Sequence, residues 1–328
     1  MEGRKSRKGG RAGRRGAPGT YGFALRDYNL HMVKASILAD LRSRLERELA
    51  RPAGAFVPLR VDAEIVGWLD ERRAAQIVAL GGVFEQTADG VRFVSALPSP
   101  AARSDAVDRV AHLLAAAREL TAWRNERYAV AMQRSSPPYF LLERAAARYF
   151  GVHTYAVHVN GLVEIAGRKL MWIARRSPTK AIDPGMLDNL VGGGMAAGAD
   201  PTSTLIKEAW EEAGIPARVA RRATPAATLR ICRLQPDGVQ RETIYAYDLV
   251  LPLDFVPAGQ DGEVVEQRLM PLEQVVQLVA NRSGEDVVTA DASLVITDCL
   301  LRHGVIPNDA PEFAALDALR NPDLRLET

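Results

Sequence analysis

Residues 191–215 read VGGGMAAGADPTSTLIKEAWEEAGI, and no other stretch restricts the possible folds as much. Gly192, Gly193 and Gly194 form a run without Cβ atoms and with easy access to positive φ, so they read as a tight loop, with Gly198 as a second turn. Asp200 is a strong N-cap and Pro201 suits the first helical position. The helix then runs to about Ala213, and Gly214 stands where a left-handed stop usually sits. Within it, Glu208, Glu211 and Glu212 are spaced i, i+3, i+4 and share one narrow face. Like charges held so close raise the energy of the folded state unless a cation sits among them, and hard carboxylate oxygens suit Mg²⁺ or Mn²⁺. Leu205, Ile206, Ala209 and Ala213 leave an apolar side for packing. A solvated acidic helix would share the glutamates, but not the glycine loop, the cap and the stop. The combination suits metal-assisted attack on a phosphoanhydride.

At 328 residues the chain is long enough for two domains. Apolar content of 47% and charged content of 25% are those of a soluble globular protein. Cys232 and Cys299 are far apart and form no CxxC pattern, which excludes a disulfide scaffold and fits a reducing cytoplasm. No apolar run approaches the roughly 18–20 residues that span a bilayer. The net charge of +2 is unevenly placed: residues 1–19 carry +6, so the remainder is −4. The mildly acidic body gives no reason to expect a nucleic-acid partner. Residues 1–20 read as a disordered basic tail, with Met32 a later candidate start.

Residues 21–150 read as a smaller α+β domain. Helical spacing covers Lys34–Leu49, and strands are expected over Ala55–Val61 and Ile65–Leu69. A helix over Asp70–Leu80 and a hairpin over Gly82–Val94, turning at Ala88-Asp89-Gly90, follow. Asp105–Trp123 reads as a long amphipathic helix, and Leu141–Phe150 as another with Glu143 and Arg144 exposed. Trp123-Arg124-Asn125-Glu126-Arg127-Tyr128 packs charge beside two aromatics, which suits either ligand recognition or an ion-pair cluster at a domain seam.

From Val152 the pattern turns to strands: His153–Val159, Leu162–Ala166 and Lys169–Ala174, broken at Asn160-Gly161 and Gly167. His158, in an apolar run, reads as a core histidine. Arg175, Arg176 and Lys180 sit just upstream of the glycine run and could hold a diphosphate, or be solvated. Ala226–Leu234 and Glu242–Leu251 read as strands around a Pro236-Asp237-Gly238 turn. Glu263, in the Asp261–Glu266 loop, could act as general base or as a further metal ligand. Helices over Leu272–Asn281 and Ala292–His303 precede a loosely packed 309–328 extension.

The 191–215 stretch resembles a Nudix box, GX5EX7REUXEEXGU with U aliphatic. Gly193, Glu208, Glu211, Glu212, Gly214 and Ile215 match, while Lys207 replaces its Arg and Ala199 its first Glu. Trp123–Glu126, Glu143-Arg144, His158–Gly161, Arg176-Ser177 with Lys180, Leu187–Asn189, Asp261–Val264 and Arg302–Gly304 extend the likeness to a Nudix subfamily associated with thiamine pyrophosphokinase. That resemblance implies a Nudix α/β/α sandwich with a mixed sheet over 151–308, after a smaller α+β companion domain. It also implies hydrolysis of thiamine diphosphate, or its oxidised analogues, to the monophosphate and phosphate. Glu208, Glu211 and Glu212 would bind Mg²⁺ or Mn²⁺. Glu263 would be base or fourth ligand, Arg176 and Lys180 would neutralise the diphosphate beside Gly193 and Gly194, and Trp123 or Tyr128 would stack on the organic ring. A nucleotide-type diphosphate, or a degenerate diphosphate-binding module without turnover, are the rival readings.

Overall fold

Leu38, Leu41 and Leu45 recur at helical spacing and are buried along helix α1, Ala35–Glu48. The chain is described by a computed structural model over residues 33–328, so the basic tail lies outside the described residues. Strands β1 (Val57–Val61) and β2 (Glu64–Leu69) pair antiparallel. Helix α2 (Glu71–Ala79) is capped by Asp70, and β3 (Phe84–Thr87) and β4 (Gly90–Phe93) form the expected hairpin. β4 lies parallel to β1, giving a sheet of order β2-β1-β4-β3.

Two segments depart from the helices expected of them. Helix α3 spans Pro100–Ala116, not Asp105–Trp123: the Ser99 hydroxyl accepts from Ala102 N and starts it early, and Arg118 already has φ +61°. In place of a helix over Leu141–Phe150, β5 (Arg127–Val130) pairs antiparallel with β6 (Phe140–Glu143), followed by a single 3₁₀ turn, Arg144–Ala146. Glu143 is therefore buried rather than exposed; its carboxylate accepts from Arg124 N at 3.0 Å and Ala145 N at 3.3 Å. Arg144 is half-buried and paired with Glu126 at 2.7 Å.

The larger sheet holds β7 (His153–Ile165), β8 (Arg168–Arg176), β9 (Leu187–Asp188) and β10 (Val191–Gly194), followed by helices α4 (Pro201–Ala213) and α5 (Ala217–Ala220). Strands β11 (Thr224–Gln235), β12 (Gly238–Val250) and β13 (Val264–Pro271) complete it, and α6 (Leu272–Ala280), α7 (Ala290–Arg302) and α8 (Phe313–Ala318) follow. Its order is β11-β12-β7-β8-β13, with β10 on β7 and β9 on β8; β12 is parallel to β7, so the sheet is mixed. Asn160-Gly161 does not break the strand. β7 runs through it because Leu190 packs over Gly161, where a Cβ would lie 2.1 Å from the leucine Cδ2.

Period-two alternation sorts the sheet's side chains into two cores. Ala156, Leu162, Met171, Ile231 and Ile244 face the layer of α1, α6, α7 and α8, while Val157, Val159, Val163, Trp172 and Leu249 face α4. The result is a helix–sheet–helix sandwich. The C-terminal extension is better packed than expected: Leu316 is fully buried, and Phe56 N donates to Glu327 O at 2.9 Å. Among the described residues no helix is long and apolar enough to cross a membrane.

Helix α1 is pinned by a buried charge. The Arg44 side chain is inaccessible, donates to the carbonyls of Val279 and Val288, and meets Glu48 at 2.9 Å. Arg44→Ala removes the stem and strands those acceptors. It is expected to cost about 3–5 kcal/mol, read as a lower urea midpoint with an unchanged slope.

Candidate functional site

Helix α4 is built from its ends inward. The Asp200 carboxylate accepts from Thr202 N at 2.8 Å and Ser203 N at 2.9 Å, and the Ser203 hydroxyl accepts from Asp200 N, closing a capping box. Gly214 ends the helix at φ +64°, and Gly198 makes its turn at φ +83°. Leu205, Ala209 and Ala213 anchor the apolar side, which fixes the rotation of the helix and so the direction of Glu208, Glu211 and Glu212.

The glycine run is not the expected loop. It is strand β10, and none of its glycines has positive φ. The need for glycine is closeness. A Cβ on Gly193 would lie 2.4 Å from Glu208 Cδ, one on Gly194 2.0 Å from the Tyr128 hydroxyl, and one on Gly192 3.0 Å from the His158 ring. The Glu208, Tyr128 and His158 side chains lie directly against a bare backbone ribbon.

Glu212 is 4% exposed; its Oε2 accepts from Gly192 N at 2.8 Å, and Lys180 Nζ stands 3.5 Å from its Oε1. Burial pushes its carboxyl up to about 8; Lys180 opposes the shift and Asp188 adds to it. Glu208 is also raised, by burial first, with Lys207 opposing. The Lys207 ammonium bridges Glu208 at 2.9 Å and Glu211 at 2.8 Å. Burial opposes the Lys207 charge, but these carboxylates outweigh it and raise the ammonium above its usual range.

A cavity of about 390 Å³ opens beside this face. Lys180, Arg176, Gly193, Gly194, Tyr128 and Glu263 all line it, together with the three helix glutamates. Lys180 also forms an ion pair with Glu263, which meets Arg124 at 3.3 Å. Burial works against the Glu263 charge, yet these cations hold its carboxyl below the usual range. Arg176 is already committed: it pairs with Asp188 at 2.9 Å and donates to the carbonyls of Ile182 and Asp183. Trp123 lies outside this cavity. It borders a smaller neighbouring one, its indole donates to Asn125, and its ring packs 4.5 Å from His112. Tyr128 is buried, with Arg144 5.8 Å over its ring and its phenol pushed up by burial.

Sequence reasoning missed the opposite wall. Glu242, Gln240 and Thr154, on the paired strands β12 and β7, and Asp291 at the start of α7 also line the cavity. Glu242 accepts from Thr154 Oγ1 at 3.1 Å and from Gln240 Nε2 at 3.0 Å. Burial, then the Asp291 charge, raises its carboxyl. A lone acid in a strand gives no signal in sequence. His158 is buried with its Nδ1 satisfied by Asn189 at 2.9 Å, as a core histidine should be, yet its ring also lines the cavity.

The profile described as NUDIX domain matches residues 154–291, and one described as a domain of unknown function, DUF4743, matches residues 39–154. Nudix hydrolase 20, chloroplastic, of Arabidopsis thaliana is 38% identical over 280 residues, covering 82% of this chain and 74% of that protein. Nudix hydrolase 24, chloroplastic, of the same plant is 38% identical over 273 residues, with the same coverage, 82% and 74%. An uncharacterized Saccharomyces cerevisiae protein is 32% identical, covering 65% of this chain and 66% of that protein. The chain belongs to the Nudix hydrolase family, enzymes that hydrolyse diphosphate linkages and generally use divalent metals.

Proposed function

We propose that the chain hydrolyses thiamine diphosphate, or its oxidised analogues, to the monophosphate and phosphate, with Glu208, Glu211 and Glu212 holding Mg²⁺ or Mn²⁺. The observation that carries this reading is the two-sided lining of the cavity: carboxylates and Lys180 from the α4 side, and the acids Glu242 of β12 and Asp291 of α7, where the Arg241 guanidinium of β12 is already committed to the Leu324 and Gly151 carbonyls. The first wall suits a metal-bound diphosphate, the second a cationic, amino-bearing ring. Among the subfamily marks, Arg144, His158, Arg176, Asp188 and Glu263 line this cavity. Buried free cysteines fit the reducing cytoplasm in which we place the chain.

The donor set fits a divalent cation. Its oxygens are hard, Lys207 already occupies the space between two of them as a cation, and burial makes the third costly to ionise without a positive charge nearby. When bound, such a cation supplies Lewis-acid charge to the phosphoryl oxygens and acidifies water. The chain's own residues do the rest. Lys180 turns from Glu263 to the diphosphate and offsets its charge. Glu263, released from that pair, regains basicity and accepts the proton of the attacking water. Gly192 N holds Glu212 in register throughout.

The test is phosphate release with Mg²⁺ or Mn²⁺ from thiamine diphosphate, its oxidised analogues, ADP-ribose and common nucleotides. Selective turnover of the thiamine compounds is expected. Turnover of nucleotides alone would discard the substrate, and binding without turnover would favour the degenerate module.

A pH dependence follows from Glu212. Its folded value of about 8 lies above the ordinary 4.5, so its burial costs nothing below about pH 4.5. The cost grows as pH rises towards 8, reaching on the order of a few kcal/mol. In chelator, Tm is therefore expected to fall across that window. Added Mg²⁺ is expected to raise Tm more at pH 8 than at pH 5. Equal increments at both would count against the site.

A further inference from the structure

Three buried polar groups and the half-buried Asp248 form a line through the sheet. Asp248 Oδ1 accepts from Asn160 Nδ2 at 3.0 Å, Asn160 Oδ1 accepts from Asn189 Nδ2 at 2.9 Å, and Asn189 Oδ1 meets His158 Nδ1 at 2.9 Å. Asn160 and Asn189 are at most 1% exposed and His158 is 7% exposed. The direction of every donor in this line is set by its first member. Burial works against the Asp248 charge, but the Arg302 guanidinium and the Asn160 amide outweigh it and hold the carboxyl below its usual range. Arg302 grips both carboxylate oxygens, at 2.6 and 3.1 Å.

A carboxylate only accepts. Asn160 must therefore turn its NH₂ to Asp248 and its oxygen to Asn189. Asn189 must then turn its NH₂ to Asn160 and its oxygen to His158. That oxygen requires a proton on His158 Nδ1, so the neutral imidazole keeps its lone pair on Nε2. His158 lines the cavity, and among the described residues Nε2 has no hydrogen-bond partner and is not closed off from it. Asp248, Cys299 and His303 also approach within 4.8 Å of one another, but Arg302 on Asp248 and Lys169 on His303, at 2.8 Å, already supply the positive charge there. The cluster is the fixed end of the line.

We propose that His158 Nε2 is a specificity-determining acceptor for an N–H of the substrate's organic half, a nitrogen heterocycle bearing a hydrogen-bond donor, and that Asp248, Asn160 and Asn189 are positioning residues that hold its tautomer. This deepens the proposed function and rests on its assignment of the α4 wall to the diphosphate. The β7–β12 wall offers His158 Nε2 and the carboxyl of Glu242, Asp291 of α7 lines the same cavity, and the Arg241 guanidinium of β12 is taken up by the Leu324 and Gly151 carbonyls. Acceptors and acids there repel phosphate oxygens and match N–H donors.

Two measurements on the full chain test it. The first is the imidazole ¹⁵N spectrum of the wild type at about pH 7.5. His158 is expected as the Nδ1–H tautomer, and an Nε2–H or doubly protonated ring would overturn the proposal. The second compares His158→Asn, which loses the acceptor at the Nε2 position, with His158→Gln, which keeps one. For whichever ring-bearing diphosphate is turned over, KM is expected to rise about tenfold in the Asn variant with little change in kcat, and to recover within about threefold of wild type in the Gln variant. Where only binding is seen, Kd replaces KM. Competition by methylenediphosphonate, which has no ring, is expected to be unchanged. An unchanged KM, or a parallel loss of methylenediphosphonate binding, would overturn the proposal. Failure of thiamine diphosphate as a substrate, with a nucleotide diphosphate showing the same KM shift, would sink the thiamine reading and leave this one standing.

Discussion

Glu212→Gln is expected to lower kcat by about a thousandfold or more while the protein stays folded. The amide is isosteric and can still accept from Gly192 N, so the 2.8 Å bond that ties α4 to β10 is kept. What disappears is the charge. In chelator at pH 8 the variant should be at least as stable as the wild type, because an uncomfortable buried carboxyl has gone. Added Mg²⁺ should then stabilise it less than the parent. Circular dichroism and thermal melts establish folding, and single-turnover kinetics establish the chemical step. A normal rate in a folded variant would remove Glu212 from the metal site.

The second large effect separates two roles of glycine. Gly193→Ala is expected to cut kcat/KM about a hundredfold. The new methyl would sit 2.4 Å from Glu208 Cδ, and the carboxylate must swing away from its neighbours. Backbone strain is not the cause, since Gly193 has no positive φ. Gly198→Ala is the control. That residue lies at φ +83° with nothing within 4 Å of where a Cβ would stand, so it should lose about 1 kcal/mol of stability and little activity. Equal activity losses in the two variants would mean that the close approach to Glu208 is not what the run is for.

The same contrast explains what was legible. Helix α4 could be read almost to the residue because cap, first-turn proline and stop are local chemistry. The glycine run was recognisable as important but not as a strand. An absent Cβ serves a turn and a close approach alike, and the Glu208, Tyr128 and His158 side chains that decide between them come from elsewhere in the chain. Residues 141–150 are rich in Leu, Ala and Arg and favour helix locally, yet pairing with β5 overrides that preference. Glu263 and Lys180 could be picked out as charged loop residues, but their mutual ion pair depends on the register of β13 against β8. Glu242 and Asp291 carried no sequence mark. They meet only because β12 lies beside β7 and α7 begins at the same edge.

Helix α1 docks on residues it must wait for. Arg44 and the Val279 carbonyl it holds are 235 positions apart, so during synthesis the first helix emerges long before α6 and α7 exist. Its leucines have no permanent partner until most of the chain has left the ribosome, and closing so long a loop is slow. A fragment that begins after residue 150 would keep the carboxylates and the glycine strand, yet leave α6 and α7 without the helix that covers them. Such a fragment should be sticky and aggregation-prone, and the last folding event of the full chain should be the return of its beginning to its end.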